Sequence, residues 1–228
     1  MLITVIGASA SGKSSFAESL IKKYKGDRFY IATMACMDEE SKERIKKHQA
    51  ARSDKGFFTI ECPTNINNAF VKICKKEVES ALVNSTDVSD EGKQDDLVEY
   101  AGQDKSKVVL LECMSNLLAN EKYDEKGNCK DKEAYFEEID NWIISPIEAF
   151  IKGKESPKGE SFFTQEICNA CKTEKVLIVV TGEVFMDGYD YDAETLRYME
   201  GLGKINSRLV ELSDEAYEVV CGIPVRIK

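Results

Sequence analysis

Two runs of consecutive apolar residues constrain the fold of this chain more than any other feature of the sequence. Val108–Leu111 and Val176–Val180 are apolar at every position, so both faces of each strand require cover. Strands of this kind occupy the centre of parallel sheets that carry helices on both sides. We therefore predict an α/β fold of three layers with a mostly parallel central sheet.

The other predicted elements alternate along the chain as such a fold requires. Shorter β-branched runs predict further strands, and amphipathic stretches predict the helices between them. The predicted strands are Leu2–Ile6, Phe29–Ala32, Phe58–Glu61, Val108–Glu112, Val176–Thr181 and Tyr217–Cys221. The predicted helices are Lys13–Tyr24, Ser41–Gln49, Asn67–Val83, Asp131–Phe150 and Ala193–Leu212, the last with Leu196, Met199, Leu202 and Leu209 largely on one face.

The length predicts a single domain. A chain of 228 residues can bury one full α/β core and is too short for two, so we expect one domain over residues 1–228. Asn84–Lys107 is polar and acidic with little to bury, which predicts a surface insertion over 84–107. Lys152–Ser161, rich in Lys, Gly, Ser and Pro, predicts a loop between helices.

Composition excludes several classes of protein. The formal net charge of -10 argues against a non-specific nucleic-acid surface, which requires a concentrated basic face. No window approaches the roughly 18 uninterrupted apolar residues of a membrane span. Met1–Gly7 lacks the basic leader and cleavage site of a signal peptide. We expect a soluble, cytoplasmic protein without a nucleic-acid partner.

The use of cysteine is consistent with a cytoplasmic protein. Without an export signal, we expect thiols to stay reduced and mostly to fill core space. Cys168 and Cys171 have half of a zinc-site spacing, and no second CxxC or nearby histidine completes it. The other cysteines are Cys36, Cys62, Cys74, Cys113, Cys129 and Cys221.

Gly7–Ser14 matches the phosphate-binding pattern GxxxxGK[ST] between a predicted strand and a predicted helix. Its glycines let successive N–H groups point inward around phosphate oxygens, and the helix N-terminus adds partial positive charge. We expect Lys13 to reach the β- and γ-phosphates of a nucleoside triphosphate and the Ser14 hydroxyl to ligate Mg²⁺. The expected phosphate-binding residues are Gly7, Ala8, Ser9, Ala10, Ser11, Gly12, Lys13, Ser14 and Ser15.

A P-loop enzyme also needs a carboxylate near the metal, usually at the end of a neighbouring strand. Glu112, which closes the run Val108–Leu111, is the best-placed candidate, and Glu183 is the next. Up to this point the residues leave a kinase, a nucleotidyl transferase, an NTPase and an NTP-binding switch open.

His48 is the only histidine. A lone histidine in a charged helix is usually a surface residue, but Arg44 and Arg52 lie four residues to either side and would share its helix face. Arginines can hold phosphates, and nearby positive charge favours the neutral, nucleophilic imidazole. This surrounding suits a nucleophile that attacks an α-phosphorus.

The order of motifs resembles that of the bifunctional adenosylcobinamide kinase/adenosylcobinamide-phosphate guanylyltransferase family of cobalamin biosynthesis. The likeness runs along nearly the whole chain, and its histidine motif and Gly-Ile-Pro ending are more restrictive than the P-loop. The matching segments after the P-loop are Tyr30–Thr33, Arg44–Arg52 around His48, Thr59–Pro63, Leu110–Cys113 with Asn120, Val180–Val184, Gly203–Asn206 and Gly222–Lys228.

The resemblance implies two reactions and a set of roles. A nucleoside triphosphate would phosphorylate the aminopropanol hydroxyl of adenosylcobinamide, and GMP would then pass from GTP through His48 to the cobinamide phosphate. Glu61 and Glu112 would contact the nucleoside, since a carboxylate accepts hydrogen bonds from guanine or ribose. Thr33 and Arg52 would complete the nucleotide contacts. The implied fold is a RecA-like P-loop domain, and the implied assembly is a homo-oligomer, trimers among them.

Five positions depart from the family's usual residues. Ala8 and Ala10 replace a glycine and an arginine of the P-loop, and Gly182 replaces the asparagine after the late strand. Met199 stands in place of an arginine and Ser207 in place of a glutamine. Two other hypotheses stay open: a P-loop protein that binds nucleotide without turnover, and a kinase that does not transfer GMP.

Overall fold

The computed structural model describes residues 1–35, 56–74, 106–124, 129–130, 140–152, 173–185 and 188–228. These residues form one seven-stranded sheet in the order β3-β2-β4-β5-β1-β6-β7. The strands are β1 Leu2–Gly7, β2 Asp27–Ala32, β3 Phe58–Glu61, β4 Lys107–Glu112, β5 Lys175–Gly182, β6 Glu215–Val220 and β7 Ile223–Arg226. Every pairing is parallel except that of β6 with β7.

The register brings the carboxyl ends of the central strands to one edge of the sheet. Gly7 at the end of β1 lies beside Gly182 of β5, and Glu112 at the end of β4 lies beside Val180 of the same strand. Because β5 separates β1 from β4, the P-loop and Glu112 face each other across one intervening strand. This is the edge at which open α/β sheets bind ligands.

Helices cover both faces of the sheet. They are α1 Lys13–Ile21, α2 over residues 66–74, α3 Met114–Lys122, α4 Ser145–Lys152 and α5 Ala193–Leu212. A π-helical turn, Asp140–Ile144, leads directly into α4. The carboxylate of Asp192 caps α5 by accepting 2.9 Å hydrogen bonds from the N–H groups of Glu194 and Thr195.

Alternate residues of the central strands enter two separate cores. Val109 and Leu111 of β4 pack in the core that contains α2, α3, α4 and α5, whereas Val108 and Leu110 pack on the opposite face with α1. All eight residues of β5 are buried. The prediction that both faces of these apolar runs are covered is therefore confirmed, as is the α/β sheet.

Three elements differ from the prediction. Helix α3 and strand β7 were not predicted. Helix α3 is only nine residues long, and one of its four buried residues, Lys122, is charged. Strand β7 contains Pro224, which is tolerated because β7 is an edge strand. Lys107 does not belong to the predicted insertion 84–107. It begins β4, where its buried ammonium group pairs with Asp27 at 3.0 Å.

The buried face of α5 also differs from the prediction. Its core residues are Leu202, Ile205 and Leu209, whereas Leu196 is 51% exposed. Leu196 precedes Leu202 by six residues, which turns it about 120° away around the helix. Cys221 is likewise exposed, because it lies in the turn after β6, while Cys62 and Cys74 are buried as expected.

Several predictions lie outside the described residues. They concern the helix Ser41–Gln49, positions 131–139 of the predicted helix Asp131–Phe150, positions 75–83 of the predicted helix Asn67–Val83, the insertion 84–107 before Ser106, the loop after Lys152, and the cysteines at 36, 168 and 171. The five described cysteines are all free. Within the part of the chain that is described, no helix is long and apolar enough to cross a membrane.

Candidate active site

The P-loop joins β1 to α1 at the carboxyl edge of the sheet. Ala10 and Gly12 both have left-handed backbone conformations, with φ of 56° and 93°. The Lys13 ammonium group folds back over the loop and donates a 2.9 Å hydrogen bond to the carbonyl of Ala8. That carbonyl also accepts from the N–H of Ser11 at 3.2 Å. The Ala8 carbonyl therefore accepts two hydrogen bonds from within the loop, and the Lys13 side chain lies over the loop.

Two glycines of the loop stand where a side chain has little room: at Gly7 it would collide with the backbone, and at Gly12 the contact would be tight. A Cβ on Gly7 would lie 2.5 Å from the Ser11 hydroxyl oxygen and 2.8 Å from the carbonyl oxygen of Val219. A Cβ on Gly12 would lie 3.2 Å from the Cα of Gly222. The N–H of Gly222 donates a 2.8 Å hydrogen bond to the Ser11 carbonyl, so the β6–β7 turn braces the P-loop.

The N-terminus of α1 is open to an anion. Gly12 occupies the N-cap position, and no side chain caps this helix end. The first N–H groups of a helix point along its axis and carry partial positive charge. Together with Lys13, this end offers a phosphate group several donors.

Glu112 is the carboxylate that meets the P-loop. The Ser14 hydroxyl donates a hydrogen bond to its Oε1, and the Tyr30 hydroxyl donates a 2.6 Å bond to its Oε2. Tyr30 lies in the neighbouring strand β2 and is buried. A buried tyrosine requires a partner for its hydroxyl, and here the partner is the site carboxylate.

Thr33, an expected nucleotide-contacting residue, directly follows β2. Its side chain is fully buried, and its hydroxyl both accepts a 2.8 Å bond from the N–H of Cys113 and donates a 2.8 Å bond to the Cys113 carbonyl. Asn120 of α3 extends this connection, since its amide donates to the carbonyls of Thr33 at 2.7 Å and Pro63 at 3.0 Å. These bonds fasten the ends of β2 and β3 to the region after β4.

The end of β5 is held from both sides. The Ser115 hydroxyl accepts a 3.0 Å bond from the N–H of Gly182, and the Asn206 amide donates a 3.0 Å bond to the Gly182 carbonyl. The next residue, Glu183, donates its N–H to the Gly7 carbonyl at 3.0 Å. The Glu183 carboxylate turns away to accept a 2.8 Å bond from the Phe185 N–H, so Glu112 is the carboxylate at the P-loop.

Three side chains beside this edge have shifted pKa values. Burial raises the pKa of Tyr198 to about 12, which keeps its hydroxyl protonated and able to donate its 2.9 Å bond to the Ser115 carbonyl. Burial also raises the pKa of Tyr123 to about 12. The neighbouring Lys122 ammonium group is buried, which lowers its pKa.

The structure thus brings Glu112 to the P-loop, where it contacts Ser14. Glu61 ends β3 two strands from Glu112 and is exposed. Arg44, His48 and Arg52 lie outside the described residues. Among the described residues, no group of three or more His, Cys, Asp or Glu side chains could hold a metal ion by itself.

Sequence reasoning assigned no role to the residues that support the site. These are Tyr30, Ser115, Asn120 and Asn206, whose partners lie far away along the chain. One signal was available: a tyrosine within a strand expected to be buried must find a polar partner.

Comparison with known proteins identifies the family. A sequence model of the CobU family, described as cobinamide kinase / cobinamide phosphate guanyltransferase, matches residues 3–89 and 87–227. The bifunctional adenosylcobalamin biosynthesis protein CobU of Escherichia coli is 28% identical over 232 residues, which cover 100% of both chains. The protein of the same description from Salmonella typhimurium is 26% identical over 231 residues, again 100% of both. Since the family model matches nearly the whole chain, this chain belongs to the cobinamide kinase / cobinamide phosphate guanyltransferase family and is a transferase.

Proposed function

We propose that this chain serves cobalamin biosynthesis by two transfers at its P-loop: phosphoryl transfer to adenosylcobinamide, then guanylyl transfer from GTP. The observation that carries the proposal is the contact of Ser14 with Glu112 beside Lys13. A hydroxyl, a strand-end carboxylate and a lysine at the start of a helix are the groups that P-loop enzymes use to hold a triphosphate.

In the first transfer the acceptor is the hydroxyl of the aminopropanol arm. Its oxygen bonds to the γ-phosphorus, the bond from that phosphorus to the β–γ bridging oxygen breaks, and the hydroxyl proton is released. Lys13 and the N–H groups at the start of α1 stabilise the charge on the phosphate oxygens. Because these groups contact phosphates alone, ATP and GTP are both possible donors.

His48 is the proposed nucleophile of the second transfer. A ring nitrogen bonds to the α-phosphorus of GTP, the α–β bridging bond breaks, and pyrophosphate leaves. A phosphate oxygen of adenosylcobinamide phosphate then attacks the same phosphorus, the N–P bond breaks, and adenosyl-GDP-cobinamide is released. Arg44 and Arg52 are proposed to hold the phosphates, and Glu61 to accept hydrogen bonds from guanine or ribose.

Mg²⁺ is the proposed counter-ion of the nucleotide. The residues fit it, because the Ser14 hydroxyl and the Glu112 carboxylate are hard oxygen ligands and are already in contact. When bound, the ion would offset negative charge on the phosphates. Tyr30 keeps the Glu112 carboxylate oriented by donating a hydrogen bond to it, and the Ala8 carbonyl holds the Lys13 ammonium group over the P-loop.

Incubation with α- or γ-labelled GTP and ATP tests the proposal. With Mg²⁺ and no corrinoid, α-labelled GTP should leave acid-labile label on the protein, and His48→Ala should not be labelled. With adenosylcobinamide added, γ-label should appear in the corrinoid. The two-transfer proposal would be rejected if the parent protein took up no α-label in the first assay and passed no γ-label to the corrinoid in the second.

The two other hypotheses predict different results in the same assays. A protein that only binds nucleotide would be thermally stabilised by GTP without labelling itself or the corrinoid. A kinase without guanylyl transfer would label the corrinoid from γ-labelled nucleotide and remain fully active as His48→Ala. Lys13→Ala should lose nucleotide binding in every case, so it controls for binding alone.

Assembly and location are further parts of the proposal. We propose a homo-oligomer, a trimer being one possibility, which light scattering of the purified protein would measure. We also propose a cytoplasmic location, supported by the free state of all five described cysteines. Fractionation of cells that produce the protein would check it.

A further inference from the structure

The loop that follows β5 lies at the same sheet edge as the P-loop. One end is fixed where the Glu183 N–H donates to the Gly7 carbonyl at 3.0 Å. The other end enters α5 at Asp192, and about one and a half turns into that helix the Tyr198 hydroxyl donates a 2.9 Å hydrogen bond to the Ser115 carbonyl. The loop therefore begins in contact with the P-loop, at Glu183, and its described parts are Glu183–Phe185 and 188–192.

This loop exposes aromatic side chains. Phe185 is 40% exposed and Tyr189 is 75% exposed. The rings of Tyr189 and Tyr191 lie 6.3 Å apart between their centroids and are tilted by 57°. Aromatic side chains that are exposed together on one short loop form an apolar surface of the kind that contacts ligands or partners.

The Phe185 ring is supported in its exposed position. Its N–H donates to the Glu183 carboxylate at 2.8 Å, which fixes the turn after β5. One edge of the ring faces Gly203 of α5, where an added Cβ would lie 3.4 Å from the ring. The ring thus packs against a helix without a side chain intervening and presents its other side to solvent.

The charged residues of this loop are all negative. Between positions 183 and 192 the sequence contains acidic residues and no lysine or arginine. An alkylcobalt(III) corrin is a cation, because the charge of trivalent cobalt exceeds that of the corrin ring and its alkyl ligand. Its rim carries many methyl groups, which apolar ring faces can cover. The chemistry of the loop therefore matches that of the acceptor substrate better than that of an anionic nucleotide.

We infer that Phe185 and Tyr189 form an acceptor platform, on which the corrin ring of adenosylcobinamide rests while its aminopropanol arm reaches the γ-phosphate at the P-loop. This inference rests on the proposed function, because it assigns the second substrate of the same site. The platform acts on binding of the corrinoid alone, whereas the P-loop residues act on the nucleotide.

Phe185→Ala and Tyr189→Ser test the platform. Each should raise the KM for adenosylcobinamide about tenfold, the effect of removing one ring from an apolar contact. The KM for the nucleotide and the labelling of the protein by α-labelled GTP without corrinoid should remain unchanged. Tyr189→Ser keeps the test valid if Phe185→Ala unfolds, because Tyr189 is mostly exposed.

Phe58→Ala is the matched control. Phe58 is 48% exposed but begins β3, at the opposite, amino edge of the sheet, so its removal should leave the KM for adenosylcobinamide unchanged. An unchanged KM in both platform variants would overturn the inference. A change in subunit number in light scattering would do the same, since the rings would then cover a second copy of the chain. If the parent protein shows neither transfer, the proposed function fails instead.

Discussion

The hydroxyl of Tyr30 donates a 2.6 Å hydrogen bond to Oε2 of Glu112, while Ser14 donates to the other oxygen of the same carboxylate. Tyr30 is buried in β2, where water cannot replace that bond. One oxygen of Glu112 is thereby kept toward the P-loop. Tyr30 is a positioning residue that acts through Glu112.

Tyr30→Phe should weaken the response to Mg²⁺. A hydrogen bond to a charged group contributes about 1.5–3 kcal/mol, so the Mg²⁺ concentration for half-maximal thermal stabilisation by GTP should rise about tenfold. Thermal melting at a series of Mg²⁺ concentrations measures this. Tyr217→Phe is the control, since that tyrosine donates an equal 2.6 Å bond to Glu215 on β6. An unchanged Mg²⁺ requirement in Tyr30→Phe would contradict the role given to Tyr30.

Gly7→Ala should destabilise the protein and weaken nucleotide binding. The added Cβ would lie 2.8 Å from the backbone oxygen of Val219, so β6 or the P-loop must move, at a cost of about 1–3 kcal/mol. Urea unfolding and GTP titration measure the two effects. Gly56→Ala is the control: it has a φ of 71° and open space around it, so about 1 kcal/mol of backbone strain should appear without loss of GTP binding. Equal GTP affinity in Gly7→Ala and the parent would refute the prediction.

Gly182 and Ser115 should be energetically coupled. A Cβ on Gly182 would lie 2.6 Å from the Ser115 hydroxyl oxygen, so Gly182→Asn, the family's usual residue, should cost about 1–3 kcal/mol. In Ser115→Ala that obstacle is gone, so the same substitution should cost about 1 kcal/mol less. Unfolding free energies of the parent, both single variants and the double variant form the cycle. Strict additivity would show that the two side chains do not compete for space.

Lys122 should make stability rise with pH in the alkaline range. Burial lowers its pKa below the ordinary 10.5, so between the folded and unfolded values the unfolded chain binds the proton that the folded chain has lost. The free energy of unfolding then increases with pH, by at most about 1.4 kcal/mol per pH unit. Denaturant unfolding across that range, for the parent and Lys122→Met, isolates the contribution. Parallel pH profiles for the two proteins would contradict it.

Asn120→Leu should loosen the ends of β2 and β3. It removes the amide that bonds to the carbonyls of Thr33 and Pro63, which should lower the free energy of unfolding by about 1–3 kcal/mol. Asn116→Leu, one turn earlier on α3, is the control and should change it by about 0.5 kcal/mol or less. Similar losses of unfolding free energy in the two variants would mean that the hydrogen bonds of Asn120 to Thr33 and Pro63 add no stability.

The sheet was predictable because burial on both faces makes the middle of β4, Val108–Leu111, and of β5, Val176–Val180, apolar at every position, a pattern visible in a single stretch of sequence. Strand β7 was not, since its exposed residues and Pro224 resemble a loop until β6 is present to pair with it. Helix α3 could have been predicted from the spacing of Met114, Leu117 and Leu118, which are buried on one face.

The candidate site likewise contains some residues that the sequence indicated and others that it did not. The P-loop is contiguous, so its pattern and its flanking elements identify it directly. The pairing of Ser14 with Glu112 followed from the rule that strand ends meet at one edge. The partners of Tyr30, Ser115 and Asn206 depend instead on the register of strands and helices distant in sequence, so the local pattern indicates at most that the buried Tyr30 needs a partner and not which one.

The bond from Gly222 to the carbonyl of Ser11 has a consequence for synthesis of the protein. When only β1 and α1 have emerged from the ribosome, every residue of the nucleotide motif has been made, but the hydrogen bond from Gly222 has not yet formed. The loop gains its final shape only after position 222 has emerged and β6 has joined β1. We therefore expect a chain that stops before position 222 to bind nucleotide more weakly, although it contains the entire motif.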